Sequence, residues 1–207
     1  MPKLTKLTLF FSTILALILG LIFLINYEKK QNKIKALHTK QAQMLKLTKE
    51  NLQKGDLVFR VGLDSDSAII SAFDEKGWSH VGFALSSEQI IHSAPKDEFG
   101  NGVISISTQD FIKGAKKIAI ARYELSGEQI EQISQNLKAK LGQEFILSAD
   151  DENAQNYCTS FLQAGFASVG LELKLPKKQI NLPFIKGTFI LPSAFLSDKN
   201  IKIIMEF

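Results

Sequence analysis

Trp78-Ser79-His80-Val81-Gly82-Phe83-Ala84-Leu85 runs into Ser86-Ser87-Glu88 and returns as Gln89-Ile90-Ile91-His92-Ser93-Ala94. Alternation places His80, Gly82 and Ala84 on one face and Val81, Phe83 and Leu85 on the other, the period of a strand. The polar triplet between the two runs reads as a turn. With three residues in the turn, Leu85 faces Gln89, Gly82 faces His92 and Ala94 faces His80. The two histidines then become diagonal neighbours on one face, about 7–8 Å apart at Cα and within reach of a shared hydrogen bond. A slip of one residue would put them on opposite faces. Gly82 and Ala84 are small and leave room on that face for a helix end or a substrate. Each histidine taken alone also fits a plain, partly buried strand residue.

Working outward, Gly55-Asp56-Leu57-Val58-Phe59-Arg60-Val61 reads as a turn feeding a strand, and Asp64-Ser65-Asp66 caps a short helix through Ala68 to Phe73 that Gly77 ends. Gly102 to Ser107 and Lys117 to Tyr123 are further strands. Glu128 to Leu141 is an amphipathic helix with Ile130, Ile133, Leu137 and Leu141 at helical spacing. A polar stretch from Ser148 to Asn156 precedes a helix from Cys158 to Val169. A tail with Pro183 and Pro192 ends in a strand near Ile201 to Met205. Strands and helices in this order predict an α+β domain, a mainly antiparallel sheet with helices packed on it.

Cys158 is the single cysteine of the chain. It opens the apolar segment Tyr157-Cys158-Thr159-Ser160-Phe161-Leu162, where its sulfur would feel the free N–H groups and positive end of a helix. A thiol attacks only as thiolate, and a helix N-terminus together with a nearby imidazole lowers its pKa from about 8.5. The competing reading is equally direct. Cys158, Phe161, Leu162, Gly165, Phe166 and Val169 form one continuous stripe, and a small apolar cysteine belongs in such a core.

The chain has 207 residues and a net charge of +4. No clustered basic face points to nucleic acid. A lone cysteine excludes an internal disulfide and a multi-thiolate zinc site. No Gly-rich phosphate loop and no His-carboxylate cluster at ligand spacing calls for a metal, nucleotide or other cofactor. Leu7 to Ile25 carries no charge and is long enough to cross a hydrocarbon core as a helix, with Lys3 and Lys6 before it. No small-x-small cleavage site follows, so an uncleaved transmembrane anchor is expected ahead of a cleaved signal peptide. Tyr27 to Lys54 has the composition of a solvated basic stalk, or of a plain spacer. The expected organisation is an anchor over 1–26, a stalk over 27–54 and a globular domain over 55–207. The domain is expected on the cell-envelope side, periplasmic or extracellular, as behind a signal anchor; Lys29, Lys30, Lys33, Lys35 and Lys40 on the far side of the anchor keep the cytoplasmic side as the alternative.

The series Gly55-Asp56-Leu57-Val58-Phe59-Arg60, Trp78-Ser79-His80-Val81-Gly82, Ile91-His92-Ser93, Tyr157-Cys158-Thr159-Ser160-Phe161-Leu162 and Leu191-Pro192-Ser193 resembles the circularly permuted papain-like amidases of the YiiX-like group. These are relatives of NlpC-type cell-wall peptidases and of lecithin:retinol acyltransferase. The resemblance covers about residues 55 to 207. It implies a permuted papain-like fold, Cys158 as nucleophile, His80 as general base and His92 as the residue that orients it. YiiX-like members usually carry glutamate at that third position, whereas lecithin:retinol acyltransferase relatives carry histidine. A neutral imidazole there would stabilise an imidazolium less than a carboxylate does.

The expected activity is a membrane-anchored cysteine hydrolase or acyltransferase acting on an amide or ester, with a cell-wall peptide or a lipid as substrate and no cofactor. The membrane partner is reached through the N-terminal helix. Two other classes fit the same residues: an inactive papain-like binding module tethered to the membrane, and an envelope protein in which the anchor and stalk carry the function.

Overall fold

The computed structural model describes residues 2–97, 99–147, 156–183 and 185–207, with the side chains of residues 2–18 and 97 left aside. The chain divides into two compact units, Met1–Gln43 and Met44–Phe207. The described residues of the first, 2–43, are helical throughout. They belong to α1 (Pro2–Asn51), which contains no proline after its first residue and no glycine after Gly20. The span expected to be an anchor, Leu7 to Ile25, lies largely outside the described side chains. From Leu19 to Ile25 the apolar side chains are at least 43% exposed. Among the described residues, no helix is long and apolar enough to cross a membrane.

The second unit begins earlier than Gly55. Met44, Thr48 and Leu52 are buried, so the last turns of α1 belong to the globular unit rather than to a solvated stalk. Its centre is a six-stranded antiparallel sheet in the order β4-β3-β2-β1-β5-β8. The strands are β1 (Leu57–Val61), β2 (His80–Ala84), β3 (Gln89–Asp97), β4 (Gly100–Ser107), β5 (Lys117–Tyr123) and β8 (Ile201–Glu206). Val81, Phe83, Phe59 and Ile91 share one core with α4 (Gly127–Lys138) and α5 (Cys158–Ala167). Val58, Ala84, Ile90, Ile118 and Ile120 form a second core with Met44, Leu52 and α3 (Thr108–Ile112).

The expected capped helix is α2 (Ser65–Phe73), with Asp64 accepting from the Ser67 N–H. The helix expected from Glu128 to Leu141 stops at Lys138, and Leu141 is exposed because the chain turns at Gly142 with a positive φ. A two-stranded sheet of β6 (Lys177–Asn181) and β7 (Lys186–Ile190), followed by a 3-10 turn over Pro192–Ser197, was not expected. The polar stretch Ser148 to Asn156 lies outside the described residues apart from Asn156.

Candidate active site

The β2–β3 hairpin pairs Phe83 with Ile91 and Ala84 with Ile90, and Leu85 N–H donates to Gln89 O at 2.9 Å. This is the register expected from a three-residue turn, and continuing it sets Gly82 opposite His92. A Cβ on Gly82 would sit 2.6 Å from Ile90 Cγ2 and 3.0 Å from Phe111 Cε2. The missing side chain at Gly82 is therefore what lets Phe111 approach the histidine face.

His80 Nε2 and His92 Nδ1 lie 2.8 Å apart, with the rings edge to face. Phe111 packs against both, at 5.7 Å from the His80 ring and 5.3 Å from the His92 ring. Burial holds the His80 pKa well below its usual 6.5, helped by His92 and by the Arg60 guanidinium. Burial, then Arg60, brings His92 down to about 3. Both rings are neutral at physiological pH. If His80 Nε2–H is the donor to His92 Nδ1, His80 Nδ1 is left as a lone-pair acceptor, the form a general base requires; the reverse tautomer would leave it protonated. His92 Nε2 is in either case a buried atom with no hydrogen-bond partner among the described residues. Such an atom costs about 1–3 kcal/mol, a penalty carried to hold the pair in place.

Cys158 is the first residue of α5 and is 8% exposed. The β2–β3 ladder ends at Phe83 and Ile91, and the start of α5 meets the two strands where they part. Ser93 Oγ, next to His92, donates to Asn156 O at 2.8 Å. The sulfur faces the N–H of Val81, one residue from His80, and the N–H groups of Thr159 and Cys158 itself. Two residues flanking the thiol fix Ile190 on β7: Tyr157 Oη accepts its N–H at 2.9 Å and Thr159 Oγ1 donates to its carbonyl at 2.6 Å.

The thiol environment departs from expectation. Burial pushes the Cys158 pKa up to about 12, against the lowering effect of the three N–H groups and of Arg60. The helix terminus acts in the expected direction, yet loss of hydration is larger. The resting sulfur is a thiol. His80 and His92 are brought together; Cys158 meets β2 at the backbone of Val81, and no thiol–imidazole hydrogen bond is recorded among the described residues.

Beside Cys158 lies a cavity of about 60 Å³. Ile69, Ile70 and Phe73 from α2, Ile180 and Phe189 from the β6–β7 hairpin, and Leu191 give it an apolar wall. Asp74 closes the frame behind it, accepting the Trp78 N–H at 2.9 Å and the Ser193 N–H at 2.7 Å. Sequence reasoning did not single out Arg60, Phe111 or the hairpin. For Arg60 the signal was present: it is the one charge within the otherwise apolar strand Leu57–Val61.

The family described as permuted papain-like amidase enzyme, YaeF/YiiX, C92 family, matches residues 51–205. Among solved structures, one described as the crystal structure of metalloprotein yiiX from Escherichia coli O157:H7 is similar in fold. Its TM-score is 0.63 at 17% identity, covering 76% of this chain and 98% of that one. A search of curated proteins found no match. With the family matched across the whole β-sheet unit and the fold shared with that structure, the chain belongs to the permuted papain-like amidases of the YaeF/YiiX group.

Proposed function

We propose that the chain is a cysteine hydrolase in which Cys158 attacks the carbonyl of an amide or ester, His80 accepts the thiol proton and His92 orients His80. The observation that carries this reading is the placement of Cys158. It is the first residue of α5, opening on an apolar cavity and facing the N–H next to a hydrogen-bonded pair of neutral imidazoles. In this reading Sγ bonds to the carbonyl carbon as its proton passes to His80 Nδ1. The Cys158 N–H is a donor toward the developing oxyanion. His80 then returns the proton to the leaving amine or alcohol, and a water or an acceptor alcohol resolves the thioester. This reading requires Sγ and His80 Nδ1 to come within bonding distance in the substrate complex, where catalytic hydrogen bonds often tighten.

The cavity wall bears on the substrate. A purely aliphatic and aromatic lining beside the nucleophile favours an apolar acyl group over the polar stem peptide of a cell wall. The Escherichia coli relative is described as a metalloprotein. Here, among the described residues, no group of three or more His, Cys, Asp or Glu side chains could hold a metal. The two histidines are hydrogen-bonded to each other, and the proposed mechanism assigns no step to a metal.

A membrane location follows the same logic. The uncharged run Leu7 to Ile25, exposed from Leu19 onward, precedes five lysines between Lys29 and Lys40. An apolar run followed by basic residues suits a helix anchored in lipid with its end among anionic headgroups. Fractionation of cells should place the chain with membranes, and removal of residues 1–26 should release it.

The deciding experiment screens the full-length chain against fatty-acyl amides, fatty-acyl esters and muropeptides, with mass detection of an acyl adduct. Cys158→Ser and His80→Ala should each lower turnover by at least about a hundredfold. Undiminished activity in His80→Ala would remove the imidazole from the mechanism, and turnover of muropeptides alone would refute the acyl preference.

A further inference from the structure

Arg60 and His80 are direct partners in the antiparallel β1–β2 register. Their side chains therefore leave the sheet on one face with Cβ atoms about 5 Å apart. Arg60 Nη1 donates to Phe111 O at 2.7 Å, and the guanidinium lies 4.9 Å from the centre of the Phe111 ring. That same ring packs against both His80 and His92. One side chain thus holds the aromatic plate that seats the imidazole pair, and it carries a permanent charge beside that pair.

We infer that Arg60 is a positioning residue for the thiol chemistry: it holds Phe111 against the imidazole pair and places a fixed cation that, second to burial, biases the charge state of the Cys158–His80–His92 cluster. The inference rests on the hydrolase reading of that cluster. Its physical content follows from the third residue. With a carboxylate there, an anion would hold His80 as imidazolium; with neutral His92, no such anion exists. The formal charge that acts on all three groups is instead positive, that of Arg60. A cation disfavours a second cation on the imidazoles and favours an anion on the sulfur and on the tetrahedral oxygen. The pair is thereby kept in its proton-accepting form well into acid, and negative charge formed during attack has a partner already in place. Other charged groups around the cluster are few among the described residues. Asp64 at the α2 N-cap also feels Arg60. Asp110 of α3 takes the Ser107 hydroxyl at 2.6 Å; β2 and α5 add only His80 and Cys158, and β3 adds His92 together with Lys96 and Asp97 at its far end, Lys96 being exposed.

The test uses the full-length chain and needs no substrate, so it stands apart from the activity screen. Iodoacetamide alkylation of Cys158 is timed at pH 8, and the His80 and His92 ring protons are titrated by NMR. Arg60→Gln removes the charge while keeping a donor for Phe111 O, and Arg60→Met serves where the Gln variant is unstable. The neutral variants should alkylate more slowly, about tenfold for each unit by which the thiol pKa rises, and both imidazoles should titrate closer to 6.5. Arg60→Lys should behave as the native chain. A merely structural role predicts the opposite sign for the thiol, because a loosened site admits water and eases its ionisation. Alkylation unchanged or faster in the neutral variants, or lost equally in Arg60→Lys, overturns the inference.

Discussion

The contact of His80 Nε2 with His92 Nδ1 at 2.8 Å ties catalytic geometry to stability through pH. Both imidazoles are held neutral in the fold, His80 well below 6.5 and His92 at about 3. Unfolded histidines titrate near 6.5, so between that pH and the depressed folded values the unfolded chain binds more protons. Stability contributed by the neutral pair is complete above pH 6.5 and is lost as pH falls below it, by up to about 1.4 kcal/mol per pH unit for each ring. Urea midpoints should drop between pH 7 and pH 5, above the range where most carboxylates titrate. In His92→Gln the drop should shrink by about half. Equal midpoints at the two pH values would mean that the rings are hydrated and chargeable in the fold. The same neutrality argues that the acid limb of turnover lies well below 6.5, because His80 remains a proton acceptor there.

Between residue and fold, the start of α5 is set by its attachment to β7. Tyr157 Oη and Thr159 Oγ1 take up both backbone polar groups of Ile190, and Thr159 is fully buried. Tyr157→Phe leaves an N–H without its acceptor, and Thr159→Val leaves a carbonyl without that donor. Each should destabilise the chain by about 1–3 kcal/mol in urea unfolding. The double variant should cost less than the sum, since both bonds restrain one residue; strict additivity would show that the two act separately. The elements that carry these bonds differ in how legible they were. The β2–β3 hairpin could be read down to its register, because alternation and a polar turn are local signals and a slip would bury the wrong face. The β6–β7 hairpin could not: Lys177 to Asn181 offers one buried residue, Ile180, among four exposed polar ones. Its pairing is supported by the cavity wall it helps to build. The same holds for the thiol. Its helix-terminal position was visible in Tyr157-Cys158-Thr159, but its burial comes from membership of an apolar cluster with residues such as Val81, Phe189 and Leu191, which meet only in the folded chain.

At the scale of the whole molecule, the problem is how the last turns of a long helix are joined to a sheet that must hold its histidines still. Asp56 is the joint. It is fully buried, accepts Arg122 Nε at 2.6 Å and Nη2 at 2.9 Å, and accepts the Gln53 N–H at 2.7 Å. Arg122 Nη2 also donates to Asn51 O, the final residue of α1, at 3.1 Å. The carboxylate thus gathers the end of α1, the entry to β1 and the last residues of β5, while Gly55, with φ of 96°, makes the turn that admits it. Surface pairs such as Lys54–Glu131 and Lys202–Glu124 add little by comparison, being exposed and screened. Breaking the buried pair on one side is a different matter, because it strands a charge. Arg122→Met should lower stability by about 3–5 kcal/mol, and Asp56→Asn with Arg122→Met should recover part of that loss. Thermal or urea unfolding of the four chains forms a double-mutant cycle. A coupling below about 0.5 kcal/mol would show that Asp56 is held by its backbone donors alone and that α1 joins the sheet by apolar packing of Met44 and Leu52.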